Sequence, residues 1–489
     1  MRQRIIWLLV AISSVASVVA AIRWSLLHPL PLYWDEANYI NQSIIDHRLF
    51  QSGGVIRLLK QLLFSDPERP PAYRAIAVGA TLFSTPTLLK LRMVSLALSV
   101  TAMVVLWNGM RAVSSPVNAA VAAAAVFSMP GILFGAAWYG TEFPLYLAIA
   151  LLIDSLLRER PFELALAIAI GSLAKTTFFL IGVPTIFTAT FVDRKPRLFF
   201  YAIAGSLIAA PWWAIRWRSA LEYARYGATG ARWAVTRGLA DRAVTFVGGF
   251  GILTFVASLL LLEPSWRAWR TQRRAILISL AGSLPLPMAA AISPVFVARH
   301  FAPAFLPLAV LLAIGASVSH WRENVALALV CVQTISLAAF VSVLFPSSEP
   351  IDWSWLRSTI SKRKPVISFI GLLPGLSPPE IRYAWLREGD DADVSWLWAP
   401  ENQRIDWPRV MDLALTSDIV LVVPPFEVTQ MSEIDQRDNV FNGELITRLE
   451  ASNAFEAPQV KELGHSRQHL FIFERKQGLP ATAARPPTR

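Results

Sequence analysis

About eleven apolar runs of membrane-spanning length recur within residues 1–345, and that repetition confines the chain to one class of fold. A backbone in hydrocarbon must satisfy its own N–H and C=O groups, so runs of this kind become α-helices. They are Ile5–Ile22, Thr87–Met110, Pro116–Phe134, Trp138–Leu157, Phe162–Ala174, Thr177–Val192, Leu198–Ile215, Val244–Leu262, Ala275–Ile292, Phe301–Ser319 and Asn324–Phe345. A mean hydropathy of +0.46 and a charged content of only 16% agree with a polytopic membrane protein. The single cysteine, Cys331, lies inside an apolar run and excludes both a disulfide framework and a cysteine-rich zinc site.

Charge sets the expected orientation. The short connections Arg158–Arg160, Asp193–Arg197 and Arg267–Arg274 are basic and so are assigned to the cytoplasm. Ile5–Ile22 reads as a retained signal anchor: Ala20 and Ala21 resemble a cleavage site, but the run is long for a signal peptide and further spans follow. The N-terminus is then inside, and residues 23–86 form the first outside loop of a protein in a bacterial cytoplasmic membrane. One outside connection, Arg216–Arg242, breaks the pattern with six arginines. Either the count slips by one span there, or those arginines meet anionic groups.

The net charge of +11 does not indicate nucleic acid. From Pro346 onward the chain has 16 basic and 20 acidic residues, against 29 and 14 before it, so the excess belongs to the membrane part. There it balances lipid phosphate, and no basic stripe stands on a soluble domain.

Residues 23–86 are too polar to span and too aromatic for a solvated linker, which predicts interfacial helices over Val55–Phe64 and Ala72–Ser84. Residues 346–477 read as a small outside α/β domain with a mostly parallel sheet. Its expected strands are Pro365–Gly371, Val394–Trp398, Ile419–Val423 and Leu470–Phe473, alternating with helices near Pro378–Arg387, Ile405–Thr416 and Asn442–Ala451. No G-x-G-x-x-G follows its first strand, and residues 478–489 have the composition of a disordered tail.

Acidic residues are few enough in the membrane part to permit elimination. Asp154, Glu159, Glu163, Asp193, Glu263 and Glu323 fall at expected inside ends, where Arg and Lys can balance them. Outside, Asp35 and Glu36 stand side by side among Tyr33, Trp34 and Tyr39. Adjacent carboxylates in a half-apolar setting must be solvated, paired or used. For Glu36, a helix-start residue stabilised by the dipole is an equal reading. Glu142, in WYGTEFPLY, lies near the end of a span, where an acid is costly and marks function. Arg69, Lys175, Arg299 and His300 add positive or ionisable groups on the same expected face; each alone reads as a snorkelling anchor.

In this order, Asp35-Glu36, ERPPAY, WYGTEFPLY, LAKTTFFLIGVP and VARHFAPAFLPL resemble the GT-C glycosyltransferases that use polyprenyl-phosphate sugars, among them protein O-mannosyltransferases and lipid A aminoarabinose transferases. The resemblance covers roughly residues 1–345. It implies Asp35 as the essential acid, Arg69 as the basic residue before the paired prolines, Glu142 as the carboxylate of its span and Lys175 as the lysine of an L-x-K-G run. Thr176 replaces that glycine, and His300 stands where the family has Tyr in an Arg-Tyr pair. Lys175, Arg69, Arg299 and His300 would bind the donor phosphate, while Asp35, Glu36 and Glu142 are the catalytic candidates.

The expected activity is therefore transfer of a sugar from a polyprenyl-phosphate donor to a hydroxyl of a glycan, lipid or protein. This reading fixes no cofactor: Glu36 would orient the acceptor or hold a divalent cation, and a metal-assisted and a metal-free site are equally open. The rival is a transporter or flippase of lipid-linked sugars. Transporters usually carry inverted repeats and midplane charges, whereas here no repeat is seen and the charges gather at one face.

Overall fold

The computed structural model describes residues 1–32, 34–66, 68–229, 238–293, 297–344, 351–360, 362, 364–371, 376–397, 405–425, 433–463 and 468–476. Tyr33, Arg232, Arg237, Trp398 and the expected tail lie outside the described residues. The chain divides into two compact units. Met1–Pro29 with Ile45–Pro346 form one, and Leu30–Ile44 with Ser347–Arg489 form the other.

The first unit is helical. In chain order its elements are α1 (Arg2–Leu27), α2 (Trp34–Phe64, whose residues up to Ile44 belong to the second unit), α3 (Ala72–Ala80), α4 (Leu88–Met110), α5 (Pro116–Phe127), α6 (Pro130–Ala137), α7 (Glu142–Arg158), α8 (Pro161–Ala174) and α9 (Phe178–Asp193). They continue with α10 (Arg197–Thr229), α11 (Leu239–Phe250), α12 (Ile252–Arg267), α13 (Trp269–Ser283), α14 (Pro285–Ile292), α15 (Ala298–Phe301), α16 (Phe305–Val318) and α17 (His320–Leu344). Each stretch expected to span is mostly helical where described, with breaks for example at residues 128–129, 138–141 and 251.

Among the described residues, six helical stretches are long and apolar enough to cross a membrane: Arg2–Leu27, Leu88–Met110, Arg197–Arg225, Trp269–Ile292, Ala298–Val318 and His320–Phe340. Two bent pairs would raise the number to eight: α5 with α6 at 72° and α11 with α12 at 84°. The first bend falls at Met129, held extended before Pro130, because a residue preceding proline is driven out of the helical region. The other three expected spans correspond to α7, α8 and α9, of 17, 14 and 16 residues. Helix α7 is buried along nearly its whole length, packed by α4 and α8, so it is apolar on every side rather than amphipathic.

Both stretches expected as interfacial helices are helical, the second only over Ala72–Ala80 rather than to Ser84. Gly54, at φ 66° and ψ −166°, breaks α2 and separates Val55–Phe64 from the preceding turns, a conformation that only glycine adopts without strain. Leu58 and Leu62 from that second half pack on Val78 of α3, while Ile56 and Leu59 stay exposed.

All six acids assigned to the inner ends are paired with cations. Asp154 lies 3.8 Å from Arg158, Glu159 2.6 Å from Lys195, Glu163 2.7 Å from Arg160, Asp193 2.6 Å from Arg274, Glu263 2.8 Å from Arg267 and Glu323 2.6 Å from Arg2. Two of the six anomalous arginines find anionic helix ends. Helix α10 continues through Arg216, whose guanidinium donates to the Leu63 carbonyl at 3.0 Å and to that of Phe64, at the C-terminus of α2. Arg242 donates to the Ala291 carbonyl at the end of α14. Unpaired terminal carbonyls carry the negative end of the helix dipole, so these two arginines act as caps.

The second unit holds a five-stranded sheet of order β2-β1-β3-β5-β4: β1 (Val366–Ile370), β2 (Asp393–Trp396), β3 (Ile419–Val422), β4 (Gln459–Leu463) and β5 (Gln468–Glu474). β1 pairs in parallel with β2 and β3, whereas β5 runs antiparallel to β3 and β4. The sheet is thus evenly mixed rather than mostly parallel. A four-residue connection between β4 and β5 permits only an antiparallel pair. β4 escapes the sequence because it is an exposed edge of Gln, Lys and Glu.

Ile367, Phe369, Ile419 and Leu421 face a core with Trp353, Ile381 and Trp385, while Ile370, Val420 and Val422 face one with Val410, Leu445 and Leu449. Helices α18 (Ser354–Thr359) and α19 (Pro378–Arg387) therefore cover one face, and α20 (Trp407–Leu415) and α21 (Glu433–Ala451) the other. Burial on both faces is why the central strands read as unbroken apolar runs.

Candidate functional site

In the helical unit the structure brings Glu142, Lys175 and Arg299 together through Trp138. Glu142 occupies the first turn of α7, where a carboxylate is favoured by the helix dipole. Its Oε1 accepts from Lys175 Nζ at 2.8 Å, and its Oε2 accepts from Trp138 Nε1 at 3.2 Å. Lys175 terminates α8 in an extended conformation, which turns its side chain out of the helix. Glu142 is almost wholly buried, while the Lys175 side chain keeps 22% of its exposure. The Arg299 guanidinium lies 4.8 Å from the centre of the Trp138 ring, a cation–π distance.

Gly140 makes this arrangement possible. A Cβ there would stand 2.1 Å from Trp138 Nε1 and 2.6 Å from Glu142 Oε2, inside the hydrogen bond that joins them. His300 follows Arg299 in the short α15, where its backbone N–H donates to Val297 at 3.0 Å. Trp138 is the residue that sequence reasoning missed. Its four-residue separation from Glu142, within a motif already singled out, was the available signal.

Arg69 lies in the same unit. Its guanidinium lies 3.9 Å from both Asp66 and Glu68 and 5.3 Å from the centre of the Tyr223 ring. Asp66 Oδ1 accepts the Glu68 and Arg69 backbone N–H groups at 3.1 Å each, fixing the turn that presents Arg69. Nearby, Asp46 and Arg74 form a fully buried bidentate pair at 2.5 and 2.6 Å, with Arg74 also donating to Ser65 Oγ at 2.6 Å. Arg92 is likewise fully buried and donates to the Ser25 carbonyl at 3.3 Å and to that of His28, with the Trp24 ring beside it.

Asp35 and Glu36 belong to the other unit. Trp34 begins α2, so both acids lie in its first turn. Glu36 is fully buried, and its Oε2 accepts from the Leu32 backbone N–H at 3.1 Å. That bond ties the entering chain to the helix, as an acid in the first turn commonly does. Asp35 is half-buried. Among the described residues, no three His, Cys, Asp or Glu side chains gather where they could hold a metal ion.

Comparison with solved structures identifies the fold. ArnT from Cupriavidus metallidurans bound to undecaprenyl phosphate superposes with a TM-score of 0.61 at 13% identity, over 96% of this chain and 98% of that one. The archaeal oligosaccharyltransferase AglB from Archaeoglobus fulgidus, in complex with an inhibitory peptide and a dolichol-phosphate, gives 0.53 at 13%, over 97% and 75%. The same organism's oligosaccharyltransferase in complex with Zn and sulfate gives 0.54 at 13%, over 95% and 73%. No family model and no curated protein sequence matches the chain. The chain thus shares the fold of ArnT and of the AglB oligosaccharyltransferase, the fold that the ordered motifs implied.

Proposed function

We propose that the protein is a membrane glycosyltransferase that moves a sugar from a polyprenyl-phosphate donor to a hydroxyl of a glycan, lipid or protein, on the outer side of a bacterial cytoplasmic membrane. The observation that carries this reading is the pair of buried Glu142 with partly open Lys175, together with Arg299 over Trp138, within a fold shared with ArnT. Cations concentrated at one place in an apolar bundle suit a lipid-linked phosphate, which is both the anchor and the leaving group. A solved structure of the same fold, ArnT, is bound to undecaprenyl phosphate.

In the proposed step, the acceptor oxygen attacks the anomeric carbon and the bond from that carbon to the phosphate oxygen breaks. Polyprenyl phosphate departs, its added charge neutralised by Lys175, Arg69 and Arg299. Asp35 takes the acceptor proton as general base. A direct displacement inverts the anomeric centre. Glu36 keeps the Asp35 turn in shape through Leu32, and Glu142 orients Lys175.

Purified protein incubated with labelled polyprenyl-phosphate sugars and envelope extract tests the reading. Label in a new glycosidic product is the expected result. In vesicles, a flippase would instead move label between leaflets without forming that bond, and this outcome would replace the transferase assignment.

A further inference from the structure

The acidic helix start and the C-terminal residues form one compact unit, although more than 300 residues separate them in sequence. Two contacts among the described residues show how they are joined. Asn41, 2% exposed, donates from Nδ2 to the Pro379 carbonyl at 2.7 Å, in the first turn of α19. The Trp34 ring lies 6.0 Å from that of Trp396 on β2, and Trp396 in turn sits 4.1 Å from Phe369 of β1.

Trp34 and Asn41 are seven residues apart, which is about two helical turns, so they share one face of α2. That face is the one held by the α/β domain. Asp35, one residue beyond Trp34, projects about 100° around the helix, on the flank of the anchored face. Its direction is therefore set by how α2 is clamped. Glu36, through Leu32, fixes the chain entering the same turn.

We propose that the α/β domain is a positioning device for the Asp35 carboxyl, with Asn41 and Trp396 as its positioning residues. The kinetic part rests on the transferase reading above. A general base acts only within hydrogen-bond reach of its proton, so a helix start free to rock would spend little time in the productive geometry. The lost hydrogen bond should cost about tenfold in occupancy of the clamped state.

The test uses full-length protein in nanodiscs, with Asn41→Leu, Trp396→Ala and Trp396→Phe. Hydrogen exchange at residues 38–44 should accelerate about tenfold in the first two variants while β1 stays protected. With the labelled polyprenyl-phosphate sugar that supports transfer, kcat should fall about tenfold and donor KM should stay within about twofold. Trp396→Phe, which keeps a ring against Trp34, should restore both. Unchanged exchange at 38–44 in Asn41→Leu overturns the proposal, whatever Trp396→Ala does to the sheet. Faster exchange with an unaltered kcat overturns it too. If wild-type protein transfers no sugar, the transferase reading falls, and the exchange arm alone then decides whether the domain clamps the helix.

Discussion

Lys175 Nζ donates to Glu142 Oε1 at 2.8 Å, an ion pair in which the acid is buried and the base is partly open. The carboxylate holds the ammonium in a fixed direction before any donor arrives. A phosphate reaching Lys175 would then add a second anionic partner without reordering the side chain. Replacing Lys175 by Met should weaken binding of undecaprenyl phosphate about 10- to 100-fold, the value of a charge-assisted hydrogen bond of roughly 1.5–3 kcal/mol. Arg299→Met should act in the same direction. Affinities measured on purified protein decide, and wild-type values for both variants would make these residues ordinary interfacial anchors.

Under the proposed mechanism, Asp35 and Glu36 separate by role. Asp35→Asn keeps the shape and removes the proton acceptor, so turnover should fall about 10²- to 10⁴-fold with donor binding nearly unaltered. Glu36→Gln retains an oxygen that can accept from Leu32 N–H and should lose less than Asp35→Asn does. Steady-state kinetics on inserted protein would show it. Near-normal turnover by Asp35→Asn moves the base to Glu142 or Glu36.

The Asp46–Arg74 pair is a stability element. Both side chains are fully buried, so removing one leaves the other charged and desolvated. Arg74→Met or Asp46→Leu alone should destabilise the helical unit by about 3–5 kcal/mol, whereas the double variant should recover much of the loss. Thermal unfolding in detergent, followed across the three variants, reads this coupling directly.

Glu380 makes the α/β domain sensitive to pH. Its carboxyl is buried at the start of α19 and accepts only the Ser377 hydroxyl, at 2.6 Å, among the described hydrogen bonds. Burial pushes its pKa up to about 7, against the opposing effect of that hydrogen bond. The folded domain therefore binds this proton more tightly than the unfolded chain, whose carboxyl titrates near the ordinary 4.5. The stabilisation is complete below about pH 4.5, declines as pH rises through 7, and amounts to a few kcal/mol, on the order of 3. Glu380→Gln should flatten that dependence. Hydrogen exchange across residues 381–387 between pH 5 and 8 measures it.

The helical class, the approximate positions of the apolar helices and the pairing of the acids assigned to the inner ends with Arg or Lys were legible in the sequence. The helices follow from a local rule, since apolar runs must become helical in lipid. The cation partner is local for Asp154, Glu163 and Glu263, while Glu159, Asp193 and Glu323 meet Lys195, Arg274 and Arg2 only in the folded chain. The site residues were visible as types, since Glu142 and Lys175 are costly where they stand. Tertiary structure alone joined them, because Trp138 connects α7 to Arg299 across more than 150 residues. The same holds for Asp46 with Arg74, and for Asn41 with Pro379. Hydropathy and spacing report the energy of one segment against solvent or lipid. They carry no information about which distant segment supplies a hydrogen-bond partner, and that choice is made only when the helices pack.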